Sequence, residues 1–285
     1  MTARLLAAGA VVGGLALLLL AERRWPLRRA VDATWRRRGV NLALGALTGA
    51  AMQVALLPLI LGVAALVEAR GWGLLGLISR AVALPAPAPA AAALVLLDYT
   101  FYWWHRLLHV TPALWRFHLV HHTDLDLDVT TSARFHVAEY ALGAAFRVAQ
   151  VVAIGAGPVA AAAFEGIVVA AAGLHHANVR LPLALERRLV RLVVTPRMHG
   201  IHHSAVERET NSNWSTVLTL WDRLHGTLRL DVSQADIAIG VPAYRDARAL
   251  GLRALLALPF IRQRPAWRPP LDRPPSRTPP THLVA

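Results

Sequence analysis

Apolar residues fall in five long stretches, each measured against the ~20 residues that a helix needs to cross a bilayer. Residues 5–21 are uninterrupted and lead at once into Arg23, Arg24, Arg28 and Arg29. A signal peptide has the same outline, but a single Arg precedes the stretch and no small-residue cleavage site follows, so we read a retained first span. Residues 40–67 form a second span, long enough to tilt, with Pro58 as a kink. A Gly- and Pro-rich connector, partly re-entrant, occupies 71–88, and 90–104 is the third span. That span ends in Tyr99, Tyr102, Trp103 and Trp104, side chains suited to an interfacial belt. Residues 137–154 and 159–174 make a weaker pair joined by Gly155, Gly157 and Pro158. Glu139, Arg147, Gln150 and Glu165 interrupt their apolar faces, and polar groups at such depth turn toward a bundle interior. Residues 181–194 mix Arg187, Arg188 and Arg191 with leucine and valine, as an interfacial helix does. From Pro259 the chain is rich in Pro and Arg without apolar periodicity, which predicts a disordered tail.

Composition agrees with this pattern. Of 285 residues, 55% are hydrophobic and 16% charged, and the mean hydropathy is +0.43; soluble domains run near 45–50% and 25%. The formal charge of +13 is carried by thirty Arg and no Lys. In so apolar a chain this places Arg in cytoplasmic loops, and no basic-aromatic module argues for nucleic acid. The segment 22–39 carries seven Arg, 68–88 two, and the region after Leu174 sixteen. Alternating spans with 22–39 inside then put 105–136 and everything after 174 on the cytoplasmic face. Cysteine is absent, which excludes disulfides, thiolate zinc sites and cysteine-ligated clusters.

Eleven of the thirteen histidines lie between positions 105 and 203, in groups. His105 and His109 form HxxxH, while His118, His121 and His122 and later His199, His202 and His203 each form HxxHH. His136 and the pair His175–His176 stand between them. On a helix, positions i, i+3 and i+4 share a face, so each box presents its imidazoles in one direction. Counting one of His175 and His176, ten imidazoles are on offer. Tetrahedral zinc uses about four ligands, so ten fit a dinuclear centre better than one zinc. The Glu-x-x-His pairs of carboxylate di-iron bundles are missing. His225 and His282 read as interfacial polar groups, and His175 stays open between ligand and bystander.

Here the sequence resembles a family. Asp98-Tyr-Thr-Phe-Tyr-Trp-Trp-His105-Arg-Leu-Leu-His109, Trp115-Arg-Phe-His118-Leu-Val-His121-His122, Asp128-Val-Thr-Thr131, Arg134-Phe-His136 and His176-Ala-Asn178 carry the likeness. Thr195-Pro-Arg-Met-His199-Gly-Ile-His202-His203-Ser204 and Trp221-Asp222-Arg-Leu-His-Gly-Thr227 complete it. In this order they resemble the fatty acid hydroxylase superfamily of sterol desaturases, sterol and fatty-acyl hydroxylases and ether-lipid monooxygenases. The resemblance implies an all-α membrane protein of about four to five transmembrane helices under a cytosolic helical cap, with a histidine-ligated di-iron centre that activates dioxygen. Carried over residue by residue, it implies His105, His109, His118, His121, His122, His136, His176, His199, His202 and His203 as ligands of two iron ions, which zinc can replace on heterologous expression. The chain departs from the family at Val137 after His136, at Asn213-Trp214-Ser215, and at His225 in place of an aromatic.

Asp98 precedes His105 by seven residues and His109 by eleven, on the same helical face, and is expected to accept a hydrogen bond from a ligand imidazole. Asp124, Asp126, Asp128 and Asp222 are weaker candidates for that role, or solvated loop charges. The organisation expected is 1–88 as N-terminal spans and connector, 89–230 as the catalytic region, 231–258 as a cap segment and 259–285 as the tail. The leading function is oxygen-dependent hydroxylation or desaturation of a lipid, sterol or fatty-acyl C–H bond in a bacterial-type inner membrane. A non-catalytic metal or haem carrier is the competing class. No Rossmann or flavin motif is present, so electrons are expected from a separate ferredoxin or b-type cytochrome with its reductase.

Overall fold

Each apolar stretch becomes a helix, and helices account for every long element. The computed structural model describes residues 2–32, 34–85, 87–235 and 237–267. The first stretch lies in α1 (Thr2–Arg24). The second starts earlier than the apolar pattern does: α2 (Trp35–Ala51) opens with Thr34 accepting a hydrogen bond from the Arg37 backbone. A π-helical turn, Met52–Leu56, then leads into α3 (Leu57–Arg70). Proline lacks an N–H and crowds the preceding turn, so the kink expected at Pro58 takes the form of this widened turn just ahead of it. Gly71, left-handed at φ 61°, ends α3.

The connector is more regular than its Gly and Pro content suggested, because α4 (Gly73–Ala81) forms within it. Gly73 adopts φ 79° and packs so closely on the far end of the bundle that a Cβ there would lie 2.3 Å from the Gly155 nitrogen. A side chain at Gly73 would push α4 off that end.

The third stretch continues without a break through the first histidine pair, as α5 (Pro87–Val110). A short α6 (Pro112–His122) follows, then a 3-10 turn Val129–Ala133, α7 (Val137–Ile154) and α8 (Pro158–His176). Among the described residues, three segments are long and apolar enough to cross a membrane: Trp35–Ala81, Val137–Ile154 and Pro158–His176. Ile60, Ala64, Leu97, Val151, Ala161 and Phe164 form the core between α3, α5, α7 and α8.

The remaining elements are short: α9 (Leu183–Leu189), α10 (Pro196–His202), α11 (Glu207–Thr210), α12 (Leu220–Leu224) and α13 (Leu252–Ala257). The interfacial helix expected over 181–194 is thus one of seven residues, followed by a turn whose Val193 pairs with Leu218. No strand forms among the described residues beyond three isolated bridges. The boundary expected at Pro259 also shifts. Pro259 is buried, the Ala243 N–H donates to Ala266 O at 3.1 Å, and Trp267 stacks 5.8 Å from Trp115. Those contacts hold residues 259–267 to the body; 268–285 lie outside the described residues.

Asp124, Asp126 and Asp128 are not solvated loop charges. Arg37 binds Asp124 at 2.8 Å and also Asp128, Arg38 reaches Asp128 at 3.1 Å, and the Asn41 amide donates to Asp124. Asp126 accepts from the Val31 and Asp32 backbone. Although burial alone would raise the Asp124 pKa, Arg37 and Arg134 hold it below its ordinary value. Fully buried Arg134 ties the loop further, donating to Val120 O, Asn41 and Thr123. This network fastens the 123–134 loop to α2, and with it the C-terminus of α6.

Candidate metal centre

The C-termini of α5, α6, α8 and α10 converge, and each carries histidine in its last turn. Nine imidazoles form two adjoining groups. His105, His109, His118, His122 and His202 make one; His121, His176, His199 and His203 make the other; within each, the ligand atoms lie within 4.8 Å of one another. The groups touch where His122 stacks on His203 at 4.4 Å.

The two HxxHH boxes do not point each at one centre. His118 and His122, at i and i+4, go to the first group, while His121 at i+3 goes to the second. In α10 the assignment reverses: His199 and His203 enter the second group and His202 the first. Positions i and i+4 overlie each other on a helix, whereas i+3 is displaced to one side. Two boxes facing each other therefore interleave into two centres.

The hydrogen bonds fix which nitrogen faces inward. Nδ1 of His105 meets Trp214 O at 2.8 Å, that of His202 meets Ser212 O at 2.8 Å, and that of His121 meets Arg134 O at 3.2 Å. His176 Nδ1 lies 2.7 Å from Ala172 O and His118 Nδ1 2.8 Å from a Glu139 carboxylate oxygen. Each Nδ1 carries the proton its acceptor requires, which leaves Nε2 with a lone pair. In the second group the Nε2 atoms meet each other. His121 and His176 approach to 3.1 Å, His176 and His199 to 3.0 Å, and His199 and His203 to 3.1 Å through Nε2 alone. Nε2 of His118, His122 and His202 is buried without a protein partner. Burial, reinforced by neighbouring imidazoles, pushes the pKa values of His121, His122, His199, His202 and His203 well below the ordinary histidine range. Buried, neutral, converging imidazoles are a donor set for borderline transition metals.

Two residues expected at the centre stand elsewhere. His136 belongs to neither group: it is the N-cap of α7, accepting from the Ala138 N–H at 3.0 Å, with Nε2 3.1 Å from Leu256 O. Both ring nitrogens are engaged by backbone. Asp98 accepts no imidazole; its Oδ2 takes the Trp221 indole N–H at 2.7 Å and the Leu218 N–H at 3.1 Å. The carboxylate beside a candidate ligand is Glu139, on α7. Its sequence signal was a charge on an apolar helix, which gave an inward direction but no partner. Asp222 acts at one remove, accepting from the Trp214 and Ser215 N–H groups and so setting the loop whose carbonyl faces His105. His175 lies 4.0 Å, ring to ring, from His199 but in neither group, and His225 stacks on Tyr102 away from both. His282 lies outside the described residues.

Glu139→Ala removes the acceptor that orients His118. Such losses cost about 10–100-fold in metal affinity or activity. The expected result is weaker retention of added divalent metal in a chelator titration, with Glu139→Gln intermediate because it keeps an acceptor oxygen.

Helices long and apolar enough for a membrane, closed at one end by two all-histidine clusters, define a class of helical protein with a donor set that could hold metal in imidazole. Comparison with known proteins narrows the class. Residues 90–227 match the family model "Fatty acid hydroxylase". The chain is 35% identical over 174 residues to "Ornithine lipid hydroxylase OlsE" of Rhizobium tropici, covering 60% of this chain and 50% of that protein. It is 29% identical over 140 residues to "Cholesterol 25-hydroxylase" of Homo sapiens, covering 48% and 49%. The chain thus matches about half the length of these relatives. No solved structure matches it.

Proposed function

We propose that this protein is a membrane-bound, dioxygen-dependent oxidoreductase that hydroxylates a C–H bond of a lipid, with two iron ions held by the nine clustered histidines. The observation that carries the reading is the pair of adjoining clusters of inward-facing, buried Nε2 atoms. Five and four imidazoles suit two ions with open positions better than one tetrahedral zinc. Both relatives named above are hydroxylases by description, which supports hydroxylation over desaturation as the outcome.

Iron bound there would supply the oxidant for an unactivated C–H bond, which no side chain can attack. The net reaction takes O2, two electrons and two protons and gives the alcohol and water. A separate ferredoxin or b-type cytochrome with its reductase provides the electrons. The chain's own residues keep His105, His118, His121, His176 and His202 in one tautomer through carbonyl and carboxylate acceptors, and they exclude water. Phe135 stacks on His121 at 4.2 Å, and Trp115 packs against His109 and His122. His105, His109 and His176 lie at the ends of helices that run toward the Arg-rich segments, which supports a cytoplasmic position for the centre.

The test is metal content joined to turnover. Protein prepared anaerobically with iron should hold about two irons per chain and hydroxylate a membrane lipid, with zinc filling the site when iron is scarce. One tightly held metal per chain after reconstitution, or a Soret band, would overturn the reading. Orientation is tested separately in this cysteine-free chain. Cysteines at Ser79 and at Arg208, both exposed, should label from opposite sides of sealed vesicles. Ser204 is unsuitable for such a label because it is buried.

A further inference from the structure

Five leucines outside the helical bundle are exposed: Leu183, Leu185, Leu192, Leu220 and Leu224, the last at 64%. They belong to two limbs that meet. The Thr219 N–H donates to Leu192 O at 3.1 Å, the Val194 N–H donates to Val217 O at 3.0 Å, and Arg223 reaches Val190 O. Arg188, Arg191 and Arg223 are exposed on the same limbs, while the acidic residue of α9, Glu186, is buried against Arg197.

The depth of this tip can be read along α5. Trp214 O meets His105, but Leu218 and Trp221 bind Asp98, seven residues nearer the N-terminus of the same helix. At 1.5 Å per residue the chain descends about 10 Å between those contacts. It then climbs again, for Thr227 meets Tyr102 at 3.1 Å. The other limb descends as well. It leaves the bundle end beside Trp25, where the Arg180 N–H donates to Trp25 O, and reaches the Asp98 level at Val193 through α9. Tyr99 and Trp221 pack together between tip and helix, rings 4.9 Å apart. Leu192, Leu220 and Leu224, beside those contacts, therefore sit about 10 Å below the histidine clusters, toward the spans, and Leu183 and Leu185 lie on the limb that leads down to them. Water there would face a row of apolar side chains ringed by arginine.

From this placement we infer that segments 183–193 and 217–224 form a foot that dips into the headgroup and upper acyl region of the leaflet around the protein, its arginines engaging anionic lipid phosphates. Amphipathic elements with basic rims bind membranes in this way, and each arginine near an anionic surface contributes about 1 kcal/mol, roughly a five-fold change in lipid binding. The inference rests on reading α5 as a membrane crossing. The foot's other face holds Asp98, and through Trp214 it holds His105, so its seating in lipid bears on the centre.

The experiment uses full-length protein in phosphatidylcholine nanodiscs, with and without phosphatidylglycerol. Bimane is attached to single cysteines at Leu192, Leu224, Val95 and Ala249. Lipids spin-labelled near the headgroup should quench bimane at Leu192 and Leu224 several-fold more than at Ala249, an exposed residue of the distant cap, and iodide in the buffer should show the reverse order. Val95, exposed on α5, should be quenched by deeply labelled lipids. Iodide quenching at Leu192 and Leu224 as strong as at Ala249, with Val95 still lipid-quenched, overturns the foot and leaves its leucines to a protein partner. A water-exposed Val95 overturns the crossing and the foot together. The double variant Arg188→Gln with Arg191→Gln should lower co-purified phosphatidylglycerol by at least five-fold; an unchanged ratio overturns the anionic contact.

Discussion

His202→Ala is expected to abolish lipid hydroxylation and to cost chiefly one iron, while His203→Ala costs the other. These two residues are neighbours in sequence but belong to different clusters, with His202 beside His105 and His109 and His203 beside His121 and His176. Each substitution removes a buried imidazole that no other side chain can replace. His202 Nδ1 is held by Ser212 O, so the loss also frees that carbonyl. Iron per chain by elemental analysis and the Mössbauer spectrum of each variant check the assignment, with retention in the membrane as the folding control. His225→Phe should leave iron unchanged, because His225 packs among Tyr99, Tyr102 and Trp103 outside both clusters. Iron lost from His225→Phe but kept in His202→Ala would reverse the ligand assignment.

The largest expected loss of stability is at Arg37. Arg37→Met leaves Asp124 and Asp128 buried without their principal cation, since Arg37 is 6% exposed, Asp124 1% and Asp128 4%. Removing one member of a buried ion pair costs about 3–5 kcal/mol, because the abandoned charge cannot recover its hydration. We expect a clear fall in the detergent-solubilised melting temperature. Iron retention should fall as well, because the loop tied by Arg37 carries Arg134, whose carbonyl receives His121 Nδ1. Arg38→Met, whose partner keeps Arg37, should be several-fold milder. Equal melting temperatures for the Arg37 variant and the parent would show that the network is not what fastens α6 to α2.

The helical class and the histidine inventory were legible because both are local. A bilayer-length apolar run has few alternatives to a helix, and His105 with His109 or His118 with His122 needs only the helical repeat to share a face. The charge at Glu139 was visible for the same reason, as was its inward direction, but its partner was not. Asp98 shows the limit of spacing arguments. Its place on the face of His105 and His109 is real, yet a loop more than a hundred residues later supplies the donors that occupy it. His136 is placed by the same kind of effect: beside a helix start, the nearest free N–H meets its ring.

The sequence by itself determined that the five long apolar segments are helical, that the histidines fall in boxes at one-face spacing, and that they are too many for a single tetrahedral ion. Only the tertiary structure decided how the nine divide five and four, which acceptors hold Nδ1 of His105, His118, His121, His176 and His202, and that the 183–193 and 217–224 limbs descend beside α5. Helical periodicity acts over a few residues and is written in the chain. The division between clusters depends on how α6 and α10 face each other, and that is set by packing between segments about eighty residues apart.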